Sequence, residues 1–120
     1  MTPTSESGLV AAIVRAIRKE HPKAWVFKTV GSPYQMAGVP DLLVCVGGRL
    51  FGFEVKFRRP GESENYALSR ASPQQRYQIR AINGSGAVAR VVTSPEAVMA
   101  TIAKGLARGS RKDGARDHGD

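Results

Sequence analysis

The residues best suited to chemistry in this chain meet around one turn. Gly47-Gly48 is a two-residue hairpin signal. It separates an apolar run, residues 41–46 (DLLVCV), from an alternating one, residues 49–57 (RLFGFEVKF). A two-residue loop sets Val46 opposite Arg49, Cys45 opposite Leu50, Leu43 opposite Gly52 and Asp41 opposite Glu54. Opposed residues project from the same sheet face with Cβ atoms about 5 Å apart. Lys56, two positions beyond Glu54, shares that face, and Gly52 is expected to leave the surface beside them open. Two carboxylates so placed repel unless something positive lies between them. Lys56 is one candidate for that charge and a divalent cation is the other. Hard Mg²⁺ takes oxygen ligands, often one or two carboxylates with water and a phosphate.

The elements that must position this group follow from periodicity. Residues 5–20 put Glu6, Val10, Ile13 and Ile17 on one helical face, and Pro22 closes the segment. Residues 24–30 (AWVFKTV) read as a strand, 31–40 as a loop with two glycines and two prolines, and 58–71 as a polar loop. Ser72-Pro73 opens a second helix that runs to Asn83-Gly84. Residues 87–92 form a fourth strand, and Ser94-Pro95 starts a third helix that ends near Gly105. The fold class is α/β: an αβββαβ core with a mixed four-stranded sheet flanked by helices. Phe51, Phe53, Val55 and Phe57 face one side of that sheet. The first helix is expected to cover the other side and carry Glu6 toward Asp41 and Glu54. Each acid also has a plain reading. Glu6 suits the first turn of a helix, Asp41 follows Pro40 as a turn residue would, and Glu54 with Lys56 can be a solvated cross-strand pair.

Composition narrows the class of partner. The 120 residues suit one domain, residues 1–105 here, with a core that needs no disulfides. Cys45 is the single cysteine, which excludes an internal disulfide framework and a cysteine-cluster zinc site. No apolar run reaches membrane-spanning length and no signal peptide opens the chain, so the expected location is cytoplasmic. The net charge is +8. The segment 106–120, expected to be a disordered tail, carries four basic and three acidic residues, so the excess belongs to the domain. Such a balance points to nucleic acid. No Ser/His/Asp or Cys/His arrangement competes as a catalytic centre: His21 borders a helix end, His118 is in the tail and Cys45 is mid-strand.

Pro40-Asp41 followed by Glu54-Val55-Lys56 resembles the PD-(D/E)XK nuclease signature. Gly31-Ser32-Pro33-Tyr34-Gln35, Gly38-Val39-Pro40-Asp41 and Ser72-Pro73-Gln74-Gln75 extend the likeness to the small stand-alone VRR-NUC (virus-type replication-repair nuclease) branch. It covers about residues 5–105 and implies a restriction-endonuclease-like fold. It implies that Asp41 and Glu54 hold Mg²⁺ or Mn²⁺, that Glu6 joins them, and that the Val55 carbonyl completes the site. Lys56 would act on the attacking water and the phosphate. Gln75 would be the glutamine of the following helix, with Gln74 as the alternative; Gln75 is equally the closing residue of a capping box with Ser72. Lys28, Tyr34, Arg58, Arg59 and Arg76 are the expected nucleic-acid contacts. The implied activity is a metal-dependent endodeoxyribonuclease on branched DNA, Holliday junctions above all, acting as a homodimer in replication, recombination or repair, with no small-molecule cofactor. The alternatives are a nuclease on linear duplex or flap DNA, or a non-catalytic DNA-binding module of the same fold.

Overall fold

A computed structural model describes residues 2–31 and 35–119, with side chains to Arg108. Helix α1 (Glu6–Glu20) starts at Ser5, whose Oγ accepts the Gly8 N–H at 3.1 Å. Strands β1 (Trp25–Lys28), β2 (Leu42–Val46) and β3 (Arg49–Val55) follow, then helices α2 (Glu64–Ser69) and α3 (Pro73–Gly84), strand β4 (Val88–Val92) and helix α4 (Pro95–Gly119). The sheet order is β1-β2-β3-β4, with β1–β2 and β2–β3 antiparallel and β3–β4 parallel. This is the expected α/β architecture, a mixed four-stranded sheet flanked by helices. Gly47 and Gly48 both have positive φ (59° and 74°), the backbone a tight two-residue hairpin needs. The register is the expected one: Val46 pairs Arg49 and Leu43 pairs Gly52.

The two sheet faces are covered differently. Leu42, Val44, Phe51, Phe53, Val55 and Val92 meet Leu9, Val10, Ile13 and Ile17 of α1 and Val98 and Ile102 of α4 in one core. Each such side chain contributes about 1.5–3 kcal/mol on leaving water. The expectation that α1 covers the acidic face is therefore corrected. Its four apolar residues need an apolar partner, and the Phe51–Phe53–Val55 face supplies it. The Gly52–Glu54 face is closed by α3 instead. Gly52 does not leave that surface open either. It is buried, and a Cβ there would lie 3.1 Å from Pro40 Cγ and 3.5 Å from Ile82 Cδ1. The missing side chain is room for Pro40 and α3.

Two further elements depart from the sequence reading. The polar segment 58–71 contains α2, capped by Ser63 Oγ on the Tyr66 N–H and anchored by buried Ala67. With one buried residue in six, it has no periodicity to detect. Helix α4 runs past Gly105, where a stop was expected, to Gly119. Gly105 is not a helix stop because it has a packing role: a Cβ there would meet the Phe51 ring at 2.5 Å. Val98, Ile102 and Leu106 then continue one apolar stripe. Among the described residues, no helix is long and apolar enough to cross a membrane.

Candidate active site

Asp41 lies just before β2, and its position is fixed from both sides. The Thr29 N–H donates to the Asp41 carbonyl at 2.9 Å, and Thr29 Oγ1 donates to the carbonyls of Pro40 (2.9 Å) and Asp41 (3.2 Å). Across the hairpin, the Val55 N–H donates to Asp41 Oδ2 at 2.8 Å. The carboxylate is thus held beside the residue that follows Glu54. Thr29 was not singled out from the sequence. It faces Asp41 only through the β1–β2 register, and the eleven residues between them do not fix that register.

Glu54 is the joint of the site. It is 2% exposed. Its Oε2 accepts from Gln75 Nε2 at 2.9 Å and faces Lys56 Nζ at 3.3 Å. Its Oε1 is buried with no hydrogen-bond partner. Burial, and secondarily the Asp41 charge, push the carboxyl up from 4.5 to about 7, while Lys56 pulls the other way. The lysine therefore does not compensate for a second carboxylate in a desolvated place. A buried oxygen without a partner, on a carboxylate that resists ionisation beside another carboxylate, suits an added cation. The oxygen donors suit a hard one such as Mg²⁺ or Mn²⁺.

Of the two glutamines, the one whose side chain reaches Glu54 is Gln75. Its Oε1 accepts the Ser72 N–H at 2.8 Å while its own N–H donates to Ser72 Oγ at 3.1 Å, a complete capping box. Its Nε2 simultaneously holds Glu54. One side chain serves the cap and the site together, and Gln74 is exposed. The loop before Asp41 is pressed onto the same helix start. Gly38 has φ +83°, and a Cβ there would lie 2.4 Å from the Gln74 carbonyl oxygen. Gln78 Nε2 ties the loop again at the Ala37 carbonyl, at 3.3 Å. The result is a cleft of about 410 Å³ whose lining includes Thr29, Gln35, Met36, Val39, Asp41 and Gln75.

Other expected site residues fall outside this group. Glu6 is exposed in the first turn of α1, which packs on the opposite sheet face from Glu54. Among the described residues, no group of three or more His, Cys, Asp or Glu is placed to hold a metal. The structure thus brings together Asp41, Glu54, Lys56 and Gln75 and leaves Glu6 apart. Tyr34 lies outside the described residues. Lys28 is exposed on β1, and Arg76 is exposed on α3. Arg58 and Arg59 are exposed on the turn that follows β3. Arg58 Nε donates to the Glu62 carbonyl at 2.7 Å, and the Arg59 N–H donates to Glu62 Oε1 at 2.9 Å. Arg70 Nη2 also reaches Glu62 Oε1, at 3.1 Å, and donates to the Phe57 carbonyl. The Arg59 N–H, with the guanidinium charges behind it, holds the Glu62 carboxyl below its usual range. Glu62 thus draws Arg59 and Arg70 into the local fold.

No family profile matches the sequence, and no curated protein matches it. Solved structures do. A VRR_NUC domain is 24% identical over 77% of this chain and 91% of its own, with a TM-score of 0.54. A VRR_NUC domain protein is 18% identical over 88% of this chain and 91% of its own, with a TM-score of 0.66. At these identities the likeness is one of architecture, and it extends over most of each chain. By its likeness to these structures over most of its length, the chain has the fold of the VRR_NUC domain proteins.

Proposed function

We propose that the chain is a metal-dependent endodeoxyribonuclease that hydrolyses phosphodiester bonds in branched DNA, with four-way junctions as its preferred substrate. The observation that carries this reading is Glu54: a buried carboxylate shared by Gln75 and Lys56 on one oxygen, unpartnered on the other, and beside Asp41. A divalent cation held by Asp41 and Glu54, with the Val55 carbonyl, would lower the pKa of a water and neutralise phosphate charge. The chain's own groups do the rest. Val55 N–H and Thr29 keep Asp41 aimed at the cleft. Gln75 fixes the Glu54 rotamer. Lys56, with its side chain 14% exposed, presents an ammonium to the phosphate oxygen that gains charge as water attacks in line. The new P–O bond forms as the bond to the leaving oxygen breaks; the water loses a proton and the leaving oxygen gains one.

Cutting a branched molecule symmetrically takes two sites, and a homodimer supplies them. The same sheet face supports that reading. Helix α3 packs on β3 and β4, while Trp25 (54% exposed), Phe27 (48%) and Leu50 (41%) lie bare beyond it, a surface suited to a second copy. The excess of basic residues suits DNA, and the expected setting is the cytoplasm of a bacterial or virus-infected cell. The test incubates the protein with Mg²⁺ and matched four-way, flap and linear DNAs, with Asp41→Asn as control. Metal-dependent cutting of the four-way DNA is the expected result. No cleavage of any substrate removes the nuclease reading in favour of a binding module, and equal cutting of all three removes the junction preference.

A further inference from the structure

A second charged groove lies on the other face of the sheet. Val88, Arg90, Ala100, Thr101, Lys104, Gly105 and Arg108 line a cavity of about 340 Å³ between β4 and α4. Strand β4 is the outer strand there, so the groove opens along a sheet edge. Its floor is built. Thr101 is 9% exposed; its Oγ1 donates to the Ala97 carbonyl at 2.8 Å and accepts from Arg90 Nη1 at 3.1 Å. One arm of the Arg90 fork is therefore fixed, while the residue as a whole is exposed. Arg49 borders the same place: a Cβ on Gly105 would lie 3.7 Å from Arg49 Nε. That nitrogen is buried with no hydrogen-bond partner. Among the described residues, no carboxylate pairs with Arg49, Arg90, Lys104 or Arg108.

Three cations, Arg90, Lys104 and Arg108, line this groove with Arg49 behind Gly105, and such a cluster calls for a multivalent oxyanion. We propose that this groove is a second phosphate-binding site that takes the backbone of a nucleic-acid segment other than the one in the carboxylate cleft. The separation argues for a different segment. Arg49 precedes Glu54 by five positions on β3, about 17 Å of strand at ~3.3 Å per residue. The two also project from opposite faces, Arg49 with Phe51 and Glu54 with Gly52. One phosphate cannot reach both. The inference goes beyond the cleavage reading, because anion capture in the groove does not use the carboxylates.

The test measures binding of the full chain to a 20-bp duplex over a salt series, in chelator so that nothing is cut. Lys104→Gln/Arg108→Gln is compared with Lys19→Gln/Lys23→Gln, which removes the same charge from α1 and the turn after it. Each lost phosphate contact lowers the salt slope by about 0.9. The groove variant is expected to lose about 1–2 units of slope and to bind about tenfold more weakly, with the control near wild type. Equal losses in both variants would overturn the site and leave only a general field. In parallel, the Arg49 Nε–H signal is followed by NMR with the duplex and with inorganic phosphate. A shift with the duplex alone assigns the groove to backbone; a shift with both assigns it to phosphate from either source; no shift with either overturns the proposal. A wild type that binds with the expected slope but never cuts would defeat the nuclease reading and leave this one standing.

Discussion

The two faces of the sheet are made from alternate residues of the same strands and have opposite fates. On the face under α1 and α4, Ile13, Ile17, Phe51, Phe53, Val55, Val98 and Ile102 are all fully buried. On the face under α3, the helix buries no residue of its own completely, and the best-buried strand side chain is the carboxylate of Glu54. The first face gains its free energy from apolar area. The second carries a desolvated acid next to another acid, an arrangement that costs stability without a ligand. One strand can therefore hold the core with its odd residues and the site with its even ones. The lesson is that stability and chemistry are separated here by the two-residue period of a strand, at a distance of one peptide unit.

Substitutions on opposite faces test this separation. The largest stability effect belongs to the first face: Phe51→Ala is expected to cost about 3–5 kcal/mol in denaturant unfolding. An equally large loss from Ile82→Ala on α3, which is half-buried and expected to cost about 1 kcal/mol, would erase the contrast. The second face should show the largest effect on activity. Asp41→Asn and Lys56→Gln are expected to lower the single-turnover cleavage rate about 10²–10³-fold while the chain still unfolds cooperatively. A variant that loses both fold and rate would mean that the two faces are not separable.

The Glu54 carboxyl gives the contrast a pH signature. Its folded value is raised from 4.5 to about 7. The stability it contributes is therefore fully present below pH 4.5 and lost as the pH rises through about 7. In chelator, wild type is expected to be less stable at pH 8 than at pH 5, by roughly 3 kcal/mol at most. Glu54→Gln should flatten that dependence, and so be more stable than wild type at pH 8 while cleaving nothing. Mg²⁺ should raise the wild-type melting temperature more at pH 8 than at pH 5, and leave Glu54→Gln unmoved. A wild type with no pH dependence would show Glu54 to be solvated. The smallest effect is at the capping box. Ser72→Ala is expected to cost about 1 kcal/mol and also to slow cleavage, since Gln75 then loses one of its anchors. Gln74→Ala should do neither.

Local rules were enough for much of this molecule. The hairpin was legible because two consecutive glycines leave few turn types, and a two-residue loop fixes every pair up to Asp41 and Glu54. The Ser72-x-x-Gln75 box was legible because capping spans one helical turn. The core stripe of α1 was legible from spacing alone. What the sequence did not settle is which face each helix takes. The stripe of α1 names an apolar partner but not its side of the sheet, and that choice removes Glu6 from the carboxylate pair. Helix α2 escaped notice with its single buried residue, and Gly105 read as a stop because its close neighbour, the Phe51 ring, is 54 positions away in the chain. Thr29 behind Asp41 and the groove lined by Arg90, Lys104 and Arg108 likewise depend on contacts across long loops or between elements. The sequence alone determined the pairs within reach of one turn of chain, where geometry is set by covalent connection. Only the tertiary structure decided what covers each face, because burial is settled by the whole molecule at once.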